Sequence, residues 1–262
     1  MLTSCSSQPA VESPIDPTML PISSTQNPTI KLIRSLEDKK GRREAGLFVV
    51  EGRQMLERAE DLGWAPQHIV ATKHPHLFDE VKPFIITDKL MAEISAQNNP
   101  HEVLATFKQR WQPHPTKDGT WLALEDIRDP GNLGTIIRTA DAASASGIIL
   151  VGDCCDPYAP ECVRATTGSI FTLPLCKMPT AQFVDFAKAW PGTTLATRMD
   201  AKADFREPSP APHLIVLGSE SKGLSDSVSA ACNKKVRIPM KQGVESLNVA
   251  AAAALMLYGS NT

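Results

Sequence analysis

Three short polar stretches hold the residues able to do chemistry, and each follows an apolar run. Glu125, Asp126, Asp129 and Asn132 follow Trp121–Leu124, with Arg138 within two turns of the start of the helix beyond. Gly218–Leu224 (GSESKGL), which contains Glu220, follows His213–Leu217. Lys241–Asn248 (KQGVESLN), which contains Ser246 and Asn248, follows Val236–Pro239. In an open α/β sheet ligands collect at the carboxyl ends of strands, so these stretches are candidate parts of a site. A guanidinium, carboxylates, amides and a hydroxyl suit the gripping of phosphates and hydroxyls. A lone helical arginine is also an ordinary surface residue, and spacing by itself leaves both readings open. Neither G-x-G-x-x-G nor G-x-x-x-x-G-K-[ST] stands at the first strand-to-helix turn, which argues against dinucleotide and P-loop chemistry.

Strands and helices must alternate to hold such ends together, and the apolar pattern does alternate. Ile136, Ile137, Ala140 and Ala143 mark a helix after the first polar turn, and Ile148–Val151 a strand. Phe183, Phe186, Ala187 and Trp190 mark a helix that Pro191 ends, before a strand at Thr194–Thr197. Residues 200–212, with three prolines and mixed charges, read as an exposed excursion. In the last helix Ser246 is the expected cap, and Leu247, Ala250, Ala251, Ala254, Leu255 and Tyr258 the expected apolar face. Five consecutive alanines, Ala250–Ala254, make that helix slim enough for a close neighbour, either within the chain or from a second copy. Alanine is also simply a good helix former.

A smaller α/β unit precedes this one. Asn27 and Pro28 open a helix carrying Ile30, Ile33 and Leu36. Strands are expected at Leu47–Val50, His68–Thr72, Phe84–Thr87 and Val103–Phe107. One helix carries Met55, Leu56, Ala59 and Leu62, and a second spans Lys89–Ile94. Arg110–Gly119 (RWQPHPTKDG) has no apolar period and reads as a linker, giving units 28–109 and 120–262. Residues 1–27 have the Ser-, Thr- and Pro-rich composition of a disordered extension, and Met19 is an alternative start. Lys39, Lys40, Arg42 and Arg43 crowd one short stretch, as a solvated charged face or as a phosphate-facing surface.

The 262 residues carry a net charge of −2, so any attraction to nucleic acid must be local. No run approaches the roughly 18 apolar residues of a membrane span. Six cysteines without a C-x-x-C pair read as reduced thiols of a cytoplasmic protein with no metal.

Glu125–Asp141 (EDIRDPGNLGTIIRTAD), Leu214–Leu224 (LIVLGSESKGL) and Ile238–Val249 (IPMKQGVESLNV) together resemble the three motifs of the SpoU or TrmH class of SPOUT methyltransferases, which methylate ribose 2′-hydroxyls of RNA. KKGRREAGLFVVEG resembles part of that family's substrate-binding domain, so the likeness runs through nearly everything from Pro28 onward. It implies a trefoil-knotted α/β catalytic domain preceded by a small α/β substrate-binding domain, and a homodimer packed through the catalytic domain. It implies S-adenosylmethionine held by loop backbone at Leu217, Gly218, Ile238, Met240 and Leu247, and catalytic roles for Asn132, Arg138, Glu220, Ser246 and Asn248. Ribosomal RNA is favoured over transfer RNA by family analogy, and a catalytically silent RNA-binding or ribosome-assembly factor is the alternative. The sequence departs from the family pattern at Ser219 and Ser221, at Thr166 and Thr167, and at Asn99–Glu102, where the family often has a Ser-Pro-Gln-Gly-like turn.

Methyl transfer to a ribose oxygen needs an in-line approach, stabilisation of charge on that oxygen and exclusion of water. Arginine, with a pKa above about 12, fits the role of clamp better than that of base.

Overall fold

The computed structural model describes residues 21–219, 221–243 and 246–260. The first unit begins with helices α1 (Pro28–Ser35) and α2 (Lys39–Ala45). It continues through β1 (Leu47–Glu51), α3 (Arg53–Asp61), β2 (His68–Ala71), β3 (Phe84–Ile85), α4 (Asp88–Ile94) and β4 (Val103–Lys108). Asn27 caps α1 as expected, its Oδ1 accepting from the Thr29 amide at 2.9 Å. The four strands form a sheet in the order β1-β4-β2-β3, antiparallel except at β2–β3.

Most of the extension expected to be disordered lies outside the described residues, but its end does not behave as expected. Ile22 bridges to Ile86 beside β3, donating to the Ile85 carbonyl at 2.8 Å and accepting from the Thr87 amide at 3.2 Å.

The second unit opens with β5 (Thr120–Glu125), α5 (Pro130–Ala142), β6 (Gly147–Val151), α6 (Pro160–Thr166), β7 (Leu175–Met178), α7 (Thr180–Lys188) and β8 (Thr193–Thr197). It closes with β9 (Ala203–Asp204), β10 (His213–Gly218), α8 (Asp226–Ala231), β11 (Lys234–Arg237) and α9 (Val249–Ser260). Its seven strands are all parallel, in the order β7-β6-β5-β10-β8-β11-β9. Parallel strands are covered on both faces, which is why β5, β6 and β10 read as unbroken apolar runs rather than alternating ones. β10 lies between β5 and β8, so the loop that follows it emerges at the centre of the sheet.

The stretch read as a linker holds no helix or strand, yet it is pinned. The Tyr158 hydroxyl donates to the Arg110 carbonyl at 2.6 Å and accepts from the Arg110 amide at 3.0 Å. Burial pushes that phenol up to about 12. The Arg110 guanidinium lies 3.7 Å from the centre of the Trp64 ring, a cation–π contact. Trp64 packs edge-on to Phe171 at 5.0 Å and donates to its carbonyl at 2.9 Å, while Phe48 meets Tyr158 at 4.8 Å. The two units therefore share one apolar core.

Arg42 belongs to this seam, and its reading as a surface phosphate contact is corrected. It is 3% exposed. Its Nε pairs with Asp156 at 2.7 Å, and one terminal nitrogen donates to the carbonyls of Leu36 and Glu37. Its neighbours Lys39, Lys40 and Arg43 are exposed on α2.

Cys154, Cys162, Cys176 and Cys232 are buried free thiols and Cys155 is half-buried, in line with the reduced state expected. Burial raises all five, Cys155 to about 12 and Cys176 and Cys232 to about 11, so they stay protonated near neutrality.

Arg42→Ala leaves Asp156 as a largely buried carboxylate without its partner. The expected loss is about 3–5 kcal/mol, read as a lower denaturant midpoint of one transition shared by both units. A change below 1 kcal/mol would remove the seam's assigned importance.

Candidate active site

The loop after β10 begins at Gly218. A β-carbon there would run into the Gly223 carbonyl group and the Leu224 amide, so the close return of the loop over the strand end requires glycine. The Gly223 amide donates back to the Ser219 carbonyl at 2.8 Å. The far side of the loop is held by Glu125 at the end of β5, a carboxylate only 4% exposed. It accepts from the Ser225 amide at 2.8 Å and the Ser225 hydroxyl at 2.7 Å, and Ser225 is the N-cap of α8.

The loop after β11 leads into α9. Asn248 caps that helix in place of the expected Ser246, its Oδ1 accepting from the Ala250 amide at 2.9 Å and the Ala251 amide at 3.4 Å. The Asn248 Nδ2 donates at 2.9 Å to Oδ1 of Asn132 on α5. The Asn132 amide is itself held by the capping Asp129 at 2.6 Å. One side chain thus ends the third motif and locks it to the first.

The buried face of α9 matches the expected one at Ala250 but not beyond it. Val249, Ala250, Ala253, Met256 and Leu257 point into the core. Ala251 is exposed, Leu255 is 41% exposed and Tyr258 56%. α9 packs along α5, and that contact selects the face.

Between the loops lies a cavity of about 440 Å³. Leu217, Gly218, Ile238, Met240 and Leu247 all line it, together with Ser246. Thr197, which ends β8, and Arg198, Met199 and Asp200 just past it form a wall that the sequence reading did not assign to the site. The signal was available, since they too lie at the carboxyl end of a strand that the sequence marks, at Thr194–Thr197. Arg198 donates to Asp200 at 2.8 and 3.1 Å and lies 3.7 Å from Asp226. Its guanidinium holds the Asp200 carboxyl below the usual carboxylate range. An apolar floor with a rim carrying Arg198, Asp200 and Lys222 suits a ligand with an aromatic ring at one end and an amino-acid group at the other.

Arg138 stands six positions beyond Asn132 on α5. It is exposed, with no side-chain hydrogen bond or ion pair among the described residues, and does not line the cavity. Glu220 lies outside the described residues.

The SpoU rRNA methylase family model matches residues 119–258, and an MRM3-like substrate-binding domain matches residues 27–105. An uncharacterized tRNA/rRNA methyltransferase of Synechocystis is 35% identical over 94% of each chain. A 23S rRNA (uridine(2479)-2′-O)-methyltransferase of Streptomyces viridochromogenes is 30% identical over 85% of each. The crystal structure of an AdoMet-bound rRNA methyltransferase from Sinorhizobium meliloti superposes with a TM-score of 0.83, at 36% identity, over 92% of this chain and 96% of that one. The chain belongs to the SpoU rRNA methylase family. It is an RNA methyltransferase whose methyl donor is S-adenosylmethionine, and the cavity's lining fits that donor. The knot expected of its catalytic domain is carried by this membership.

Gly218→Ala forces the loop off the strand end. Calorimetric titration with S-adenosylmethionine should show affinity lowered at least about tenfold, with a stability cost of about 1–3 kcal/mol for overpacking. Affinity equal to that of the wild type would detach the loop from cofactor binding.

Proposed function

We propose that the protein methylates a ribose 2′-hydroxyl of ribosomal RNA, acting as a homodimer in the cytoplasm. The observation that carries this reading is the Asn248–Asn132 bond. It joins the helix bearing Arg138 to the loop bearing Ser246, beside a cavity suited to the methyl donor.

Bound S-adenosylmethionine supplies an electrophilic methyl group. Arg138, exposed and uncommitted, grips the target phosphate and steadies negative charge developing on the ribose oxygen. Asn132 and Asn248 hold the two motifs in register, and Ser246 meets the ribose or the cofactor at the cavity wall. Glu220 is assigned to orientation of Arg138 or the ribose. Lys39, Lys40 and Arg43 on α2 supply phosphate contacts, with Arg42 withdrawn from that set. No helix among the described residues is long and apolar enough to cross a membrane, and no group of metal-holding side chains occurs among them. The exposed stripe of Ala251, Leu255 and Tyr258 supports a second copy packing on α9.

Arg138→Ala should abolish methyl transfer to RNA while S-adenosylmethionine affinity stays within about twofold, because the arginine lies outside the cavity. Near wild-type turnover would refute its role.

Replacing Lys39, Lys40 and Arg43 together by alanine should make the log–log salt dependence of RNA binding shallower by about 2, at roughly 0.7 per lost phosphate contact. An unchanged slope would mark them as a solvated face.

Light scattering should give a dimer for the wild type and a monomer for Leu255→Glu. A monomer at every wild-type concentration would reject the homodimer.

A further inference from the structure

Two cavities, of about 220 and about 310 Å³, share Arg53 and His101 in their walls, and the methyl-transfer site uses neither. The smaller is built by both units: Val49 and Met55 come from the first, Pro160 and Val163 from the second, and together they give an apolar floor. Gln54, Gln97 and Arg164 stand around it. The shared core keeps the two sides in fixed register, so this cleft is a built feature of the docked chain.

Its walls are tightly made. Gly52 turns from β1 into α3 at a φ of +97°, and the His101 ring lies 3.2 Å from where a β-carbon would sit. A side chain at 52 would be strained at that φ and would crowd the ring. The Glu51 carboxylate accepts from the Ser95 hydroxyl at 2.6 Å, the Ala96 amide at 2.9 Å and the Gln97 amide group at 3.4 Å. This acid therefore fastens the opposite wall. Thr167, on the second unit's side, holds a φ of +50°, an uncommon conformation for a β-branched residue.

The charges around the cleft are mostly committed. Lys73 pairs with Glu102 at 2.7 Å, and Arg53 donates to the Pro75 carbonyl at 2.7 Å. Arg164 is exposed, with no side-chain hydrogen bond or ion pair among the described residues. What the cleft offers is an apolar floor, an aromatic edge, the Gln54 amide, the Gln97 amide with its nitrogen turned to the Glu51 carboxylate, and one uncommitted cation. The complementary ligand is flat, apolar on its faces, edged with donors and acceptors, and carries one negative charge nearby. An unpaired nucleotide has that chemistry, whereas the bases of a duplex are stacked out of reach.

We propose that this cleft takes one unpaired nucleotide of the RNA substrate, its base against the apolar floor and the His101 ring, its edge read by Gln54 and Gln97, and its phosphate at Arg164. The inference rests on the RNA-methyltransferase reading and deepens it by naming where that substrate is read. Thr167 and the Asn99–Glu102 turn, two places where the sequence departs from the pattern it resembles, both contribute to these walls.

The test uses the full-length protein, short single-stranded homopolymers of each of the four ribonucleotides, and a mixed-sequence RNA duplex. Single strands should bind more tightly than the duplex, with a ranking among the four bases. The Gln54→Ala, Gln97→Ala double variant should lose about tenfold in affinity for the preferred homopolymer and flatten the ranking. Arg164→Ala, a change at an exposed side chain, should make the salt dependence shallower by roughly 0.7. Both variants should keep the S-adenosylmethionine affinity of the wild type, which separates loss of recognition from loss of fold. Wild-type affinity and ranking in the double variant would overturn the cleft while leaving methyl transfer intact. A wild-type protein that methylates RNA but binds no homopolymer would do the same. Failure of the wild type both to bind and to methylate any cellular RNA would overturn the functional reading and the cleft together.

Discussion

The buried carboxylate of Glu125 is the interaction on which the site depends. A carboxylate withdrawn from water is tolerated when its oxygens are filled by donors, and Ser225 fills both, one by its amide and one by its hydroxyl. Because Glu125 ends β5 and Ser225 begins α8, these two bonds fix the span of the loop that leaves β10 between them. Gly218 then lets the loop lie against its own strand end. The cavity is what remains between this loop and the one leaving β11, and its shape follows from strand order more than from any single lining residue.

The seam between the units works by a different principle. Arg42 and Asp156 are withdrawn from solvent as a pair, with two backbone carbonyls taking further donors of the guanidinium. Aromatic rings from both sides fill the space around them. A buried pair of this kind adds little net stability over an apolar substitute, but it punishes misalignment, because neither charge finds another partner. It therefore specifies how the substrate-binding unit sits on the catalytic one.

Much of this was legible in the residues. Alternating apolar runs marked most strands and helices, though not α6, β7, α8 or β9, and Asn27 and Pro28 marked the first helix start. Two of the three polar strand ends, those after β10 and β11, are loops of the cavity, and the five positions that the family resemblance implied for the cofactor line it. Arg42 was misread because composition cannot tell an arginine on the surface from one satisfied inside: the difference is made by Asp156, 114 positions away. The face of α9 was misread for a related reason. A helix of alanines has almost no amphipathic signal, and its orientation is chosen by α5 rather than by its own pattern. Ser246 lost the capping role because Asn248 can serve the helix and reach Asn132 at once.

Ile22 also has a bearing on solubility. β3 is the outer strand of the first sheet and is two residues long, and Ile22 bridges to Ile86 just past its end. Unpaired amides and carbonyls at a sheet edge are a template for another chain to add to. Ile22 takes one amide and one carbonyl out of that template, so the short segment before Pro28 acts as a guard on the edge. A fragment trimmed back to its first helix would keep every residue of the methyl-transfer site and still be the more prone to aggregate.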